Sequence, residues 1–208
     1  MARRTKEEAQ ATRAALLDAA EYVFQQRGVS RTSLADIAQK AGVTRGALYW
    51  HFKNKADLFS AMLERVTSPM DADWESIKDG DGDLLELWYA HLLRSVHQIV
   101  HDEQTRRELQ IAMQKVEHNE EMSPVVDQFI QVHRVHADCE RRVLEQAASA
   151  RQVQLPAPAA KLATGVHSLV HGLIYGWLLD SSFDLEATAR VSIEAFLRGI
   201  GLDLNQKP

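Results

Sequence analysis

An all-α fold is what this sequence predicts, with a three-helix helix-turn-helix module at the N-terminus and a helical body behind it, about nine helices in all. Three observations predict it. Apolar residues recur at helical spacing between turn signals, and no convincing period-2 strand interrupts them. The composition, 45% hydrophobic, 25% charged and 7% aromatic over 208 residues, suits a chain that buries a core and excludes disorder or a collagen-like repeat. Charge is split along the chain. Residues 1–55 hold 10 basic and 5 acidic groups and residues 56–208 hold 14 and 24, which is +5 against −10 within a total of −5. A basic first quarter on an acidic protein implies a segment that meets an anion.

Thr5 with Glu8 reads as a capping box opening a helix whose apolar face is Leu16, Ala20, Val23 and Phe24 and whose end is near Gly28. Ser33 with Asp36 repeats the signal for a short helix through Leu34, Ile37 and Ala38 that stops at Gly42. Thr44 caps a third helix through Tyr49. Asn54 with Asp57 opens a fourth, expected over 54–67 and broken at Ser68-Pro69. Further helices are expected near 72–78, 83–101, 103–118, 123–150, 157–180 and 184–201, separated by Asp79-Gly-Asp-Gly-Asp83 and Leu155-Pro-Ala-Pro158 among other loops. The domain division this suggests is 1–55, with the fourth helix connecting it to a body over 56–208.

The segment Ala41 to Phe52 carries the chemistry. Val43, Leu48 and Phe52 can anchor the third helix to the first two, which leaves Thr44, Arg45, Gly46, Tyr49, Trp50 and His51 toward solvent. That set suits DNA. Arg45 can pair bidentately with guanine or hold a phosphate, and Gly46 lets backbone approach the groove. Tyr49 and His51 can donate to phosphate oxygens, as can Ser33 at the second helix. Lys55, in the first turn of the fourth helix, lies where free N–H groups and the helix dipole favour an anion. Arg3, Arg4 and Lys6 would form a basic arm tracking the minor groove or phosphates.

These residues resemble the TetR/AcrR family of bacterial transcriptional regulators. The likeness spans Thr12 to about Leu63, through Ile37-Ala38, Ala41-Gly42-Val43-Thr44-Arg45-Gly46, Leu48-Tyr49-Trp50-His51-Phe52, Lys55 and Leu58-Phe59. The opening, Met-Ala-Arg-Arg-Thr-Lys-Glu-Glu-Ala, is similar to that of repressors of multidrug efflux pumps. Gly172-Leu173-Ile174 and Trp177-Leu178-Leu179 resemble the penultimate, dimer-forming helix of the family. Gln114-Lys115-Val116-Glu117 resembles a pocket-proximal segment. The resemblance implies a homodimer on a palindromic double-stranded operator, released when a hydrophobic small molecule enters the C-terminal ligand-binding and dimerisation domain. An efflux operon is the expected target, and the alternative is a metabolite-responsive regulator of a neighbouring catabolic operon.

For the effector, apolar lining is expected from Trp88, Leu92, Val96, Met113 and Phe129, with polar contacts from Gln110, Gln114, Glu117, His133, His167 and His171. The other reading of these residues is a solid helical core. Leu162, Val166, Leu169, Val170, Leu173, Ile174 and Trp177 wrap around too much of one helix for a single interior face, so a dimer interface is expected there with Ile193, Phe196 and Leu197.

Other chemistries lack their residues. His133/His136 and His167/His171 share helix faces, but no Glu-x-x-His and no Cys pair accompany them, so no metal and no cofactor are expected. The acidic turn 79–83 has Leu84 and Ala90 where a calcium loop needs Gly and Glu. No nucleophile elbow, P-loop, H-E-x-x-H or G-x-G-x-x-G occurs. An enzyme is therefore not expected. A metal-dependent helical-bundle enzyme and a non-specific nucleoid-binding module remain the alternatives from other classes. Cys139, the single cysteine, makes no intrachain disulfide, and acidic residues break any leader-like apolar run near the start. The uncharged run Leu162–Leu179 contains His167, His171 and three glycines and lacks basic flanks, which fits a buried helix better than a membrane span. A cytoplasmic location is expected.

Overall fold

The computed structural model of the chain describes residues 2–79, 82–117 and 119–205, and the side chains among them except those of 2–5 and 69–79. The described residues form α1 (Ala2–Arg27), α2 (Leu34–Ala41), α3 (Arg45–His51), α4 (Lys55–Asp79) and α5 (Leu84–His101). They continue with α6 (Glu103–Gln114), a 3-10 turn (Glu120–Met122), α7 (Ser123–Ala150), α8 (Ala159–Leu179) and α9 (Leu185–Gly199), with no strand among them.

Local chemistry explains most boundaries. Ser33 Oγ accepts from Asp36 N at 3.2 Å and Asp36 Oδ2 accepts from Ser33 N at 2.9 Å, the reciprocal capping box expected at the start of α2. Gly42 ends α2 at φ +69°, a left-handed conformation that costs other residues a steric penalty. Thr44 Oγ1 accepts from Ala47 N at 3.2 Å and opens α3. Asp83 caps α5 and its other oxygen pairs with the buried Arg151.

Three expectations are corrected. The first helix starts at Ala2, so Thr5 lies inside it; Ala and Arg are strong helix formers and extend it ahead of the capping signal. The fourth helix passes Pro69 and runs to Asp79, absorbing the separate helix expected over 72–78. Proline removes one i→i−4 hydrogen bond there, a local loss within a helix of 25 residues. The sixth ends at Gln114, because Asn119 instead caps the 3-10 turn, its side-chain oxygen accepting from Met122 N at 3.0 Å.

The chain divides into two compact units, Met1–Ser68 with Gln104–Phe129, and Pro69–Glu103 with Ile130–Pro208. In the first unit Leu16, Ala20 and Phe24 of α1 pack with Ile37, Ala38, Leu48, Phe52, Leu58, Phe59 and Met62. Ile111 of α6, Met122 and Val125 join the same core. The Phe24 and Phe59 rings sit 5.8 Å apart, tilted by 54°. In the second unit α9 packs against α5 and α8. Gly165 admits the Phe196 ring, whose nearest atom would be 3.5 Å from a Cβ placed there. The uncharged run 162–179 lies in α8, which buries Ala163, Val166, His167, Val170, Ile174, Trp177 and Leu178.

Candidate nucleic-acid interface and effector site

Packing of α3 follows its sequence. Leu48 and Phe52 are fully buried and Val43 is half-buried against the same core, so the opposite side of the helix is left outward. Thr44, Arg45 and Gly46 are exposed, as are Tyr49 at 58% and Trp50 at 74%. An indole with three quarters of its surface in water is unusual for a residue that packing alone would place. A Cβ on Gly46 would meet nothing nearer than Thr44 Oγ1 at 3.9 Å, so nothing inside the protein requires glycine there. His51 is half-buried against the Trp50 and Phe52 rings, and desolvation, with the nearby Arg13 charge, lowers its pKa.

A cleft of about 500 Å³ opens beside α3, lined by Ser30, Arg31, Ser33, Arg45, Tyr49 and Lys55 among others. The first turn of α2 contributes Leu34 and Ala35 to it, so helix-end N–H groups and cationic side chains share one concavity. Lys55 departs from expectation. Its ammonium is turned inward, donating to Thr32 O at 3.0 Å and pairing with Glu121 at 2.7 Å, and its side chain is 5% exposed. Arg31 in the cleft and Arg13, whose guanidinium lies 5.2 Å over the Phe52 ring, escaped the sequence reading. Only the charge of the segment pointed to them. Lys6 is exposed; the side chains of Arg3 and Arg4 lie outside the described residues.

Several long-range contacts hold this module to α6 and the turn after it. Val29 N donates to Lys115 O at 3.2 Å, and Asn119 Nδ2 to Ser30 Oγ at 3.0 Å. Arg65 of α4 joins Asp18 and Glu21 of α1 to Glu108 of α6, and Arg107 adds a second pair with Glu21. Glu108 is fully buried, and desolvation pushes its pKa up to about 7 against the pull of Arg65.

The expected effector residues fall in both units. Gln110, Met113, Gln114, Glu117 and Phe129 belong to the first, where Gln110, Met113 and Gln114 are half-buried while Glu117 and Phe129 are exposed. Trp88, Leu92 and Val96 are buried in the second unit, which also brings the histidines together. The His167 ring lies 4.2 Å from that of His133 and 4.3 Å from that of His171, and His136 is 6.2 Å away. His167 Nδ1 is 3.4 Å from Glu140 Oε1. Burial pushes Glu140 up to about 8 and His167 down to about 4, so these two groups are held neutral. His171 is exposed at the margin of this cluster, and desolvation with the neighbouring His167 and His133 lowers its pKa. His167 Nε2 is buried without a hydrogen-bond partner, while Glu140 Oε2, also without one, lies 3.3 Å from His167 Nδ1. Sequence reading missed Glu140 because nothing local marks it.

The expected interface residues divide by accessibility. Val166, Val170, Ile174, Trp177, Ile193 and Leu197 are buried within their own chain, so they build its core and leave no surface for a partner. Leu162, Leu169, Leu173 and Phe196 are half-buried. The apolar surface on α8 and α9 is instead Tyr175 at 44% exposed, with Leu179 and Val191 at 61% each.

Comparison with known proteins is consistent from end to end. A profile described as bacterial regulatory proteins of the tetR family matches residues 16–62. Another, described as the C-terminal region of MAATS-type transcriptional repressors, matches residues 84–201. The chain is 42% identical over 190 residues to the HTH-type transcriptional regulator TtgR of Pseudomonas putida, covering 89% of each. Among solved structures, NalD, described as the secondary repressor of the MexAB-OprM multidrug efflux pump in Pseudomonas aeruginosa, is 34% identical with a TM-score of 0.85, over 92% of this chain and 98% of that one. SmeT of Stenotrophomonas maltophilia in complex with triclosan is 30% identical with a TM-score of 0.81, over 91% of both chains.

Proposed function

This chain belongs to the TetR family of bacterial regulatory proteins, and from that premise we propose that it is a cytoplasmic repressor of a multidrug efflux operon, released by a hydrophobic small molecule. The observation that carries the DNA-binding half is the outward side of α3, where Thr44, Arg45, Gly46, Tyr49 and Trp50 stand in water beside the helix-end cleft. Arg45 reads a base edge. Ser33, Tyr49, His51 and the α2 N-terminus take phosphates, and Arg3, Arg4 and Lys6 extend the basic surface. Lys55 contributes its backbone N–H at the start of α4 and a buried charge beneath the cleft, rather than a free ammonium. Residues 1–55 are thus the reading head, and residues 56–208 supply assembly and control.

One α3 spans only a few base pairs, so specificity needs two, set about 34 Å apart by a two-fold dimer. Tyr175, Leu179 and Val191, with the half-buried Leu162, Leu169, Leu173 and Phe196, are the surface we assign to the partner protomer. For the effector we assign the neighbourhood of His133, His167, His171 and Glu140. The efflux assignment is supported by likeness over nearly the whole chain to a protein described as an efflux-pump repressor, and the hydrophobic effector by a relative that holds triclosan. Gln110, Met113, Gln114, Glu117 and Phe129 we assign to control of the reading head, a reading supported by the contacts that α6 and the turn after it make with Val29, Ser30, Lys55 and Arg65.

A titration of operator duplex, with and without a panel of drug-sized hydrophobic compounds that includes triclosan, tests this reading. At least one compound should weaken operator binding about 5- to 150-fold, and His171→Ala should change the concentration required while leaving operator affinity intact. Operator binding indifferent to every compound at saturation would refute ligand control.

A further inference from the structure

We propose that His97, His101 and Glu186 bind one divalent cation of the zinc class, fastening the end of α5 to the start of α9. Among the described residues this is the one group of three such side chains whose ligand atoms all lie within 4.8 Å of one another. His97 Nδ1 is 2.7 Å from one Glu186 oxygen and His101 Nε2 is 3.2 Å from the other. The two imidazole rings, one helical turn apart, are centred 4.2 Å from each other.

The two imidazole–carboxylate distances are close to those of a coordination shell. Nitrogen and oxygen atoms bound about 2.0–2.2 Å from a tetrahedral zinc stand roughly 3–3.5 Å apart, so the imidazole–carboxylate distances are near that range, and side-chain rotation would draw the three atoms, now within 4.8 Å of one another, onto the ion. The exchange balances. A neutral imidazole hydrogen-bonded to the carboxylate moves its proton to the other ring nitrogen, and a protonated one releases its proton to solvent. The resulting set is two imidazoles and one carboxylate, with water completing the fourth position at a site whose histidines are 64% and 55% exposed.

Helix direction favours a cation too. Both histidines occupy the last turns of α5, at the negative end of its dipole. Imidazole donors select zinc, nickel or copper over magnesium or calcium. Glu186 comes from the first turn of α9, which packs against α5, so the ion would brace two elements already in contact. Sequence spacing alone shows only the i, i+4 histidine pair; its carboxylate is 85 residues beyond His101. The neutral cluster around His167 is the other histidine-rich place in this unit and serves as the internal control.

The test uses the untagged full chain, stripped with chelator and titrated calorimetrically with zinc chloride, with melting temperatures recorded for each sample. Wild type should bind one zinc through this site near pH 7.5 and melt at higher temperature when loaded. His101→Ala and Glu186→Gln should each weaken binding by about tenfold or more while melting like wild type in the stripped form. The double variant His133→Ala/His171→Ala should keep wild-type zinc affinity, and magnesium chloride should produce no uptake. Absence of saturable zinc binding by wild type overturns the proposal. So does unchanged affinity in His101→Ala and Glu186→Gln, or loss of zinc in the His133/His171 variant.

Discussion

Arg45 and Lys55 are both basic residues at one cleft, and their surroundings give them different work. Arg45 stands exposed on α3, whereas the Lys55 ammonium is saturated by Thr32 O and Glu121. Arg45→Ala should therefore cost operator binding about 1–3 kcal/mol and relax base preference at its own position. Lys55→Ala should lower the melting temperature and weaken binding to all sequences alike. Anisotropy titrations on operator and scrambled duplexes separate the two; equal loss on both duplexes for Arg45→Ala would remove its base-reading role. Glu140 makes a different prediction. Its folded pKa, raised to about 8 by burial, exceeds the ordinary 4.5, so its contribution to stability is full below about pH 4.5 and is lost as pH rises through about 8. Glu140→Gln mimics the protonated carboxyl among His133, His136 and His167. The variant should match wild type near pH 4.5 and gain on it steadily up to about pH 8. A melting-temperature difference that stays constant with pH contradicts the assignment.

At the scale of elements, the readable parts of the sequence were those whose causes lie within one turn. Ser33 with Asp36, Gly42 and Thr44 each act on neighbours three or four residues away, so α2 and α3 could be bounded from the chain alone. Arg65 is the opposite case. Its partners Asp18, Glu21 and Glu108 stand 47, 44 and 43 residues distant, and no local pattern announces them. That network ties α1, α4 and α6 together around a fully buried carboxylate. Arg65→Ala leaves Glu108 without its cation, a change of up to about 3 kcal/mol. Because Glu108 can escape by taking up a proton, the loss should be larger at pH 8 than at pH 6, as denaturant unfolding at both values would show. The absence of any pH difference would mean that Glu108 is already neutral with Arg65 present.

Across the whole molecule, helical period identified the fold class and the likeness in α1–α4 identified the family, while the composition of the compact units was not legible. The first unit recruits 104–129 from the middle of the chain, and its turn at Glu120–Met122 supplies the partner of Lys55. The expected interface residues divide for a related reason: apolar character marks both a chain's own core and a surface it shares, and packing shows Val166 and Ile193 buried while Leu179 and Val191 are exposed. Leu179→Glu should consequently yield folded monomers, visible by sedimentation, that fail to hold operator; a dimeric Leu179→Glu would move the interface elsewhere. The function proposed for the dimer is sequence-specific reading by paired α3 helices. Selection of binding sites from randomised duplex DNA, followed by affinity titration at fixed salt, addresses it most directly. An enriched two-fold-symmetric site should emerge, bound about 10³-fold or more tightly than scrambled DNA, with Arg45→Ala narrowing that gap. Recovery of no preferred sequence, or equal affinity for selected and scrambled duplexes, would contradict it.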